Sequence, residues 1–199
     1  MRASPVLAAQ ARRLNRQAGA PAIPSLFFLT DPERTPDPVA VGKHLPRGAA
    51  IVFRHFGAAD RERVAHRLAA LCRVRGLLLL IAADPALALK VGAAGVHWPE
   101  RLAPPIRTPG FALVTAAAHG PAALSRAAAM QADAAILGPV FATRSAAGNA
   151  PLGLFHSSQM ARAARLPVIA LGGVNVSTAR LLSGRGFVGL AAVDGFADA

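Results

Sequence analysis

The chain has no tyrosine, one tryptophan (Trp98) and one cysteine (Cys72) in 199 residues. A lone cysteine excludes a disulfide framework and fits a reducing compartment. No apolar run is long enough to cross a bilayer, since the stretch from Gly76 to Ala83 stops at Asp84. Acid is scarce as well: 10 acidic residues face 22 basic ones, for a net charge of +12. Such a balance raises the question of nucleic acid. The basic residues are nearly all arginine, however, with Lys43 and Lys90 the only lysines, and they are scattered rather than interleaved with aromatics. A solvated basic surface that also attracts anionic metabolites is the better reading. Neither a nucleic-acid partner nor a membrane is expected, and the expected location is cytoplasmic.

What the chain does contain is a regular alternation of apolar strands and helical segments. Eight strand runs can be read, among them Ser25–Thr30, Ala49–Arg54, Leu77–Ala83, Ala134–Phe141 and Pro167–Gly173. They are apolar throughout rather than alternating, as strands of a parallel sheet covered on both faces require. Between them, Val64, Leu68, Leu71 and Cys72 recur at helical spacing. Gly76 stands where a helix C-terminal glycine belongs, Pro85 opens the next helix, Ser157 is a candidate N-cap, and Asn175 caps the helix after strand 7. Four prolines between Pro99 and Pro109 limit any helix there to one or two turns.

Right-handed crossovers between sequential parallel strands lead to a single closed (β/α)8 barrel, with an open doubly wound sheet as the alternative. Arg2, Arg12, Arg13 and Arg16 lie among alanines without a continuous apolar core, so residues 1–22 are expected to form a short helical extension across the barrel bottom, with residues 23–199 the barrel. A Gly-Gly that ends strand 7 and enters a helix, Gly172-Gly173, offers backbone N–H groups to a phosphate. In such barrels the loops after strands 7 and 8 often form that site.

Four segments carry a resemblance to a known family. They are Leu29-Thr30-Asp31; Gly92-Ala-Ala-Gly-Val-His97; Leu137-Gly-Pro-Val-Phe-Ala-Thr143 with Pro151-Leu-Gly153; and Pro167-Val-Ile-Ala-Leu-Gly-Gly173 with Gly189-Leu-Ala-Ala-Val193. Over about Leu26 to Phe196 the chain resembles thiamine phosphate synthase and the related TenI-type thiazole tautomerase. The resemblance implies a (β/α)8 enzyme of thiamine biosynthesis acting on a small phosphorylated heterocycle, a thiazole or pyrimidine phosphate. In the synthase, magnesium binds the pyrimidine diphosphate. A homo-oligomer is compatible with the barrel.

The departures from the family pattern are specific. Of the family's Q-L-R-x-K, which falls on Val52-Phe-Arg-His-Phe56, only Arg54 remains. The N-D after strand 3 falls on Ala82-Ala83, with Asp84 displaced by one residue, and the second metal aspartate falls on Leu102. Magnesium asks for hard oxygen ligands, so the family's metal ligands are not retained: no metal site and no cofactor are expected. The strand-6 loop keeps hydroxyls at Thr143 and Ser145, while the family's lysine falls on Ala146, with Arg144 one candidate substitute. The serine after strand 8 is Asp194, following Val193. A carboxylate about 4 Å from a phosphate costs on the order of 4 kcal/mol at an effective dielectric of 20. Asp194 must therefore turn away or be neutralised, with Arg144 and Arg185 as candidates, or the site no longer holds phosphate.

The expected ligand- and phosphate-binding residues are Arg54, Thr143, Ser145, Gly172, Gly173, Val193 and Asp194. The TenI histidine position is Pro139 here, so acid–base chemistry is assigned to His119, His97 or Asp84. His55 is expected to face away from Arg54. Cys72 is read as a helix core residue and Trp98 as a rim or core aromatic. The missing carboxylates favour a metal-independent, tautomerase-like enzyme over a diphosphate-displacing synthase with a rebuilt metal site. A non-catalytic ligand-binding or regulatory barrel is the alternative of a different class.

Overall fold

The structure is a computed structural model that describes residues 5–20, 22–143 and 150–194. Eight parallel strands close into a barrel in sequential order: β1 (Leu26–Leu29), β2 (Ala50–Phe53), β3 (Leu78–Ala82), β4 (Gly95–Trp98), β5 (Leu113–Ala118), β6 (Ala134–Leu137), β7 (Val168–Leu171) and β8 (Gly189–Ala192). The seam pairs Phe27 with Ala191 and Phe28 with Ala192. Closure of that seam excludes the open sheet.

The strands are apolar on both faces because both faces are buried. One set of side chains, including Phe27, Leu29, Val52, Leu80, Ile136 and Ile169, packs against other strand and strand-end residues and against Ala20 and Ile23 of the segment entering β1. It fills the barrel. The alternate set, including Phe28, Ile51, Phe53, Ile81 and Leu190, packs with helix residues such as Leu68 and Leu124. Burying a side chain of this size stabilises the fold by roughly 1.5–3 kcal/mol.

The helices are α1 (Pro5–Gln17), α2 (Pro38–Gly42), α3 (Arg61–Arg75), α4 (Pro85–Val91), α5 (Pro121–Ala129), α6 (Leu154–Ala163) and α7 (Val176–Ala179). The proline-rich segment after β4 holds a single 3-10 turn, Glu100–Leu102. Gly76 ends α3 in the left-handed conformation, and Asn175 caps α7 with a capping box. Ser157 is not an N-cap. It is buried inside α6, where its hydroxyl donates to the Gly153 and Leu154 carbonyls, the helix having started earlier at Leu154. The strand-6 run also stops at Leu137, because Pro139 supplies no N–H to the ladder. Beyond it, Val140 and Phe141 donate their N–H groups to the Leu171 and Gly172 carbonyls.

Helix α1 lies across the N-terminal ends of the strands. It buries Leu7, Ala8, Ala11 and Leu14, and Asn15 fastens it. The Asn15 Nδ2 donates to the carbonyls of Ala20 (2.7 Å), Ile23 (3.0 Å) and Val188 (3.3 Å), tying the helix end to the chain entering β1 and β8. Among the described residues no helix is long and apolar enough to cross a membrane.

Candidate active site

At the C-terminal end of β2, Arg54 continues the inward phase of Ala50 and Val52. Its backbone N–H donates to Thr30 Oγ1 and its Nε to the Thr30 carbonyl, both at 2.9 Å. The side chain is thereby held at the barrel mouth. Its Nη2 lies 4.0 Å from Asp31 Oδ2. Burial pulls the Arg54 pKa down from its ordinary value, with Asp31 opposing and Arg34 reinforcing the shift. Arginine stays charged nonetheless.

Asp31 is built into its loop. Its Oδ1 accepts the Glu33 and Arg34 N–H groups at 3.1 Å, and its Oδ2 accepts Arg34 Nη2 at 3.0 Å. Burial pushes its pKa up, but the backbone N–H and guanidinium of Arg34 outweigh this and hold it below the ordinary value. The other terminal nitrogen of Arg34, Nη1, lies 3.7 Å from Asp194 Oδ2 across the β1–β8 seam. Among the described residues the counter-charge to Asp194 is therefore Arg34. No contact of Arg185 with Asp194 is among those described, and Arg144 lies outside the described residues, as does Ser145. Val193 is buried with the barrel-filling set.

His97 points into the barrel, buried, with Nδ1 2.9 Å from Thr115 Oγ1 on the neighbouring strand. Burial and then the charge of Arg54 push its pKa down to about 3, so the ring is neutral at physiological pH. Its pairing partner Thr115 is the one hydroxyl in the otherwise apolar β5 run, a signal that the sequence did carry. His55 faces outward against Phe53, their ring centroids 4.9 Å apart. Trp98 donates its indole N–H to Thr108 Oγ1 at 2.9 Å. Cys72 is buried, and burial pushes its thiol up to about 12, as suits a helix core residue.

Gly172 and Gly173 end β7 with φ of +92° and +62°. A Cβ on Gly172 would come within 2.6 Å of Pro139, and one on Gly173 within 2.7 Å of Phe141 Cβ. The β6 loop leans directly on this backbone, so both glycines are required sterically whatever they bind. Thr143 is exposed in the same loop.

Asp84 is not free. Its Oδ1 caps α4 through the Leu87 N–H at 2.9 Å, and its Oδ2 lies 3.8 Å from Arg61 Nη2. Arg61 in turn donates to the Ala82 carbonyl at 2.9 Å and lies over the Phe56 ring. The preceding Ala83 is left-handed at φ +54°, and Leu102 is an exposed apolar side chain. These residues do not fit magnesium. The Asp84 carboxylate is engaged at both oxygens, and the described residues contain no group of three or more His, Cys, Asp or Glu arranged to hold a metal.

His119 follows β5 at the C-terminal face and is about half exposed. It bonds Glu100 Oε2 at 2.8 Å. Neither His119 nor Asp84 makes a described hydrogen bond or ion pair to the Arg54 group. The structure thus draws Arg54, Asp31, Arg34 and Asp194 into one charged network beside His97, and leaves Asp84 and His119 in separate pairings. Arg34 and Glu100 were not singled out from the sequence. An Asp-x-x-Arg spacing in the turn after β1 was the only local hint of the first.

Residues 26–196 match the family described as thiamine monophosphate synthase. A putative thiamine-phosphate synthase 2 of Aquifex aeolicus is 31% identical over 183 residues, covering 87% of this chain and 98% of that protein. A thiamine-phosphate synthase of Chlorobium luteolum is 34% identical over 182 residues, covering 87% and 85%. Among solved structures, the thiamine phosphate pyrophosphorylase of Pyrococcus furiosus superposes with a TM-score of 0.71 at 23% identity, covering 92% of this chain and 87% of that one. That likeness is one of fold. Motif, match and relatives agree over nearly the whole barrel, and the chain belongs to the thiamine monophosphate synthase family.

Proposed function

We propose that the protein is a thiamine-biosynthesis enzyme that acts on a thiazole phosphate as a metal-independent, tautomerase-like member of its family. The observation that carries this reading is the state of the family's metal corner. Asp84 has both carboxylate oxygens engaged by the Leu87 N–H and Arg61, and Leu102 offers no oxygen. Displacing a diphosphate calls for charge neutralisation that this corner is poorly built to give. Moving a proton between two positions of a heterocycle needs only a positioned acid–base group. In this reading Arg54 holds the anionic end of the substrate at the mouth, with Arg34 balancing Asp194. His97, neutral and bonded to Thr115, shapes the interior by hydrogen bonding. His119 takes the proton from one atom of the heterocycle and returns it at another, so that nothing is gained or lost.

The test is turnover of both thiazole phosphate tautomers, with and without magnesium and pyrimidine diphosphate. Interconversion without metal is the expected result. Magnesium-dependent coupling to the pyrimidine diphosphate would identify a synthase, and ligand binding without turnover a non-catalytic barrel; either overturns the reading. A positioned acid–base group contributes about a hundred- to ten-thousandfold in rate. His119→Ala should therefore lower turnover at least about a hundredfold while ligand affinity stays within a few fold.

A further inference from the structure

His119 is not an isolated loop histidine. Its ring Nδ1 lies 2.8 Å from Glu100 Oε2, and its backbone N–H donates to the same oxygen at 3.0 Å. The other oxygen, Oε1, accepts Arg126 Nη2 at 2.7 Å. Glu100 begins the 3-10 turn after β4, His119 sits in the turn after β5, and Arg126 is on α5. One carboxylate thus ties together three segments at the rim of the barrel.

The chemistry of that carboxylate decides which atom of the imidazole is reactive. Burial raises the Glu100 pKa, but the hydrogen bonds and charge of His119 and then the charge of Arg126 outweigh it and hold it below the ordinary value. Glu100 is therefore ionised at neutral pH. An ionised carboxylate only accepts hydrogen bonds, so the ring nitrogen facing it must carry hydrogen. In the neutral ring the other nitrogen, Nε2, then holds the free lone pair.

We infer that Glu100 is a positioning residue that fixes His119 as its Nδ1–H tautomer and leaves Nε2 as the basic atom. In water the neutral histidine side chain favours the opposite tautomer, so the preference is imposed by the contact. A base held by a third group in one tautomer and one orientation is the arrangement that activated acid–base sites share. Arg126 holds the second oxygen and keeps Glu100 from turning away. The catalytic consequence rests on the proposed function, whereas the tautomer does not.

The experiment is nitrogen-15 NMR of histidine-labelled protein, with His119 assigned by loss of its signal in His119→Ala. Spectra are recorded where histidine is neutral, and the two-bond nitrogen–proton couplings report which nitrogen is protonated. The wild-type protein is expected to show Nδ1–H at His119. Glu100→Ala should shift the ring to mostly Nε2–H, and Glu100→Gln, whose amide oxygen still accepts, should retain more of the Nδ1–H form. In the tautomerase assay Glu100→Ala should lower kcat about tenfold or more with KM nearly unchanged, and Glu100→Gln less. Nε2–H in the wild-type protein, or a tautomer unmoved by Glu100→Ala, overturns the inference. If wild-type turnover is absent while the NMR result holds, the proposed function fails and the positioning role of Glu100 stands.

Discussion

Asp194 and Arg34 define the mouth at the residue scale. A bare carboxylate at the end of β8 would repel a phosphate by about 4 kcal/mol at 4 Å and an effective dielectric of 20. Arg34 Nη1 stands 3.7 Å away as its counter-charge. Asp194 is about half exposed, so solvent screening cuts the effect well below that figure. Arg34→Ala should weaken binding of a thiazole phosphate about tenfold, and Asp194→Ser should restore much of the loss. Calorimetric titration of the two single variants and the double variant checks this. If Arg34→Ala costs as much in the Asp194→Ser variant as in the wild-type protein, the two side chains do not act on the same ligand charge.

His97 gives a second prediction at the same scale. Its folded pKa, about 3, lies below the ordinary 6.5. The unfolded chain therefore binds a proton that the folded protein refuses. The stability that follows is complete above pH 6.5 and is lost as pH falls from 6.5 towards 3, by up to about 1.4 kcal/mol per pH unit. His55, also depressed by burial, acts in the same direction. The depressed carboxylates Asp31 and Glu100 contribute only at lower pH, near and below their ordinary range. Between about pH 6.5 and 5 the histidines dominate. Urea unfolding across that interval should show falling stability, with a shallower slope in His97→Asn.

At the scale of elements, the N-terminal helix depends on one buried amide. Asn15 serves three carbonyls, and two of them belong to the chain entering β1 and β8. Asn15→Ala would strand these acceptors, at a cost of roughly 1–3 kcal/mol. It should lower the urea midpoint without changing the unfolding slope, as a loss of stability alone would do. Asp84 shows a different use of one residue. Its position after β3 invites a catalytic or metal role, yet the helix that follows takes its Oδ1 as a cap. The element that the residue starts also consumes it.

For the whole molecule, the net charge of +12 misleads about the mouth. Among the described acids, only Asp133 lies at the N-terminal end of the strands, where it pairs with Arg107 at 2.9 Å. Asp31, Asp37, Asp60, Asp84, Glu100 and Asp194 all follow strands or begin helices. Arginines such as Arg73, Arg75 and Arg162 end helices. This sorting complements the helix dipoles, and in the proposed reading anion capture at the mouth falls to Arg54, with Arg34 paired to Asp31 and Asp194, rather than to the overall field. With the metal corner occupied by Arg61, magnesium alone should give no calorimetric binding at sub-millimolar affinity. Arg61→Ala should not create such binding, because a single carboxylate remains. Tight binding by the wild-type protein would contradict this.

The sequence alone called for a parallel α/β fold with a closed barrel preferred over an open sheet, and closure of the β1–β8 seam decided between them. Strands apolar on both faces, helices between them and Asn175 as a cap are local or periodic signals, and physics acting over a few residues produces them. It also located Arg54, because an arginine that ends an inward-facing strand phase has one place to go. Tertiary structure decided the partnerships. Arg34 meets Asp194 only because β1 and β8 close the seam. Glu100 meets His119 and Arg126 only because the turns after β4 and β5 come together at one rim. Whether a charged side chain is free to bind depends on which opposite charge reaches it first. That is a distance between residues far apart in the chain, and only the folded barrel sets it.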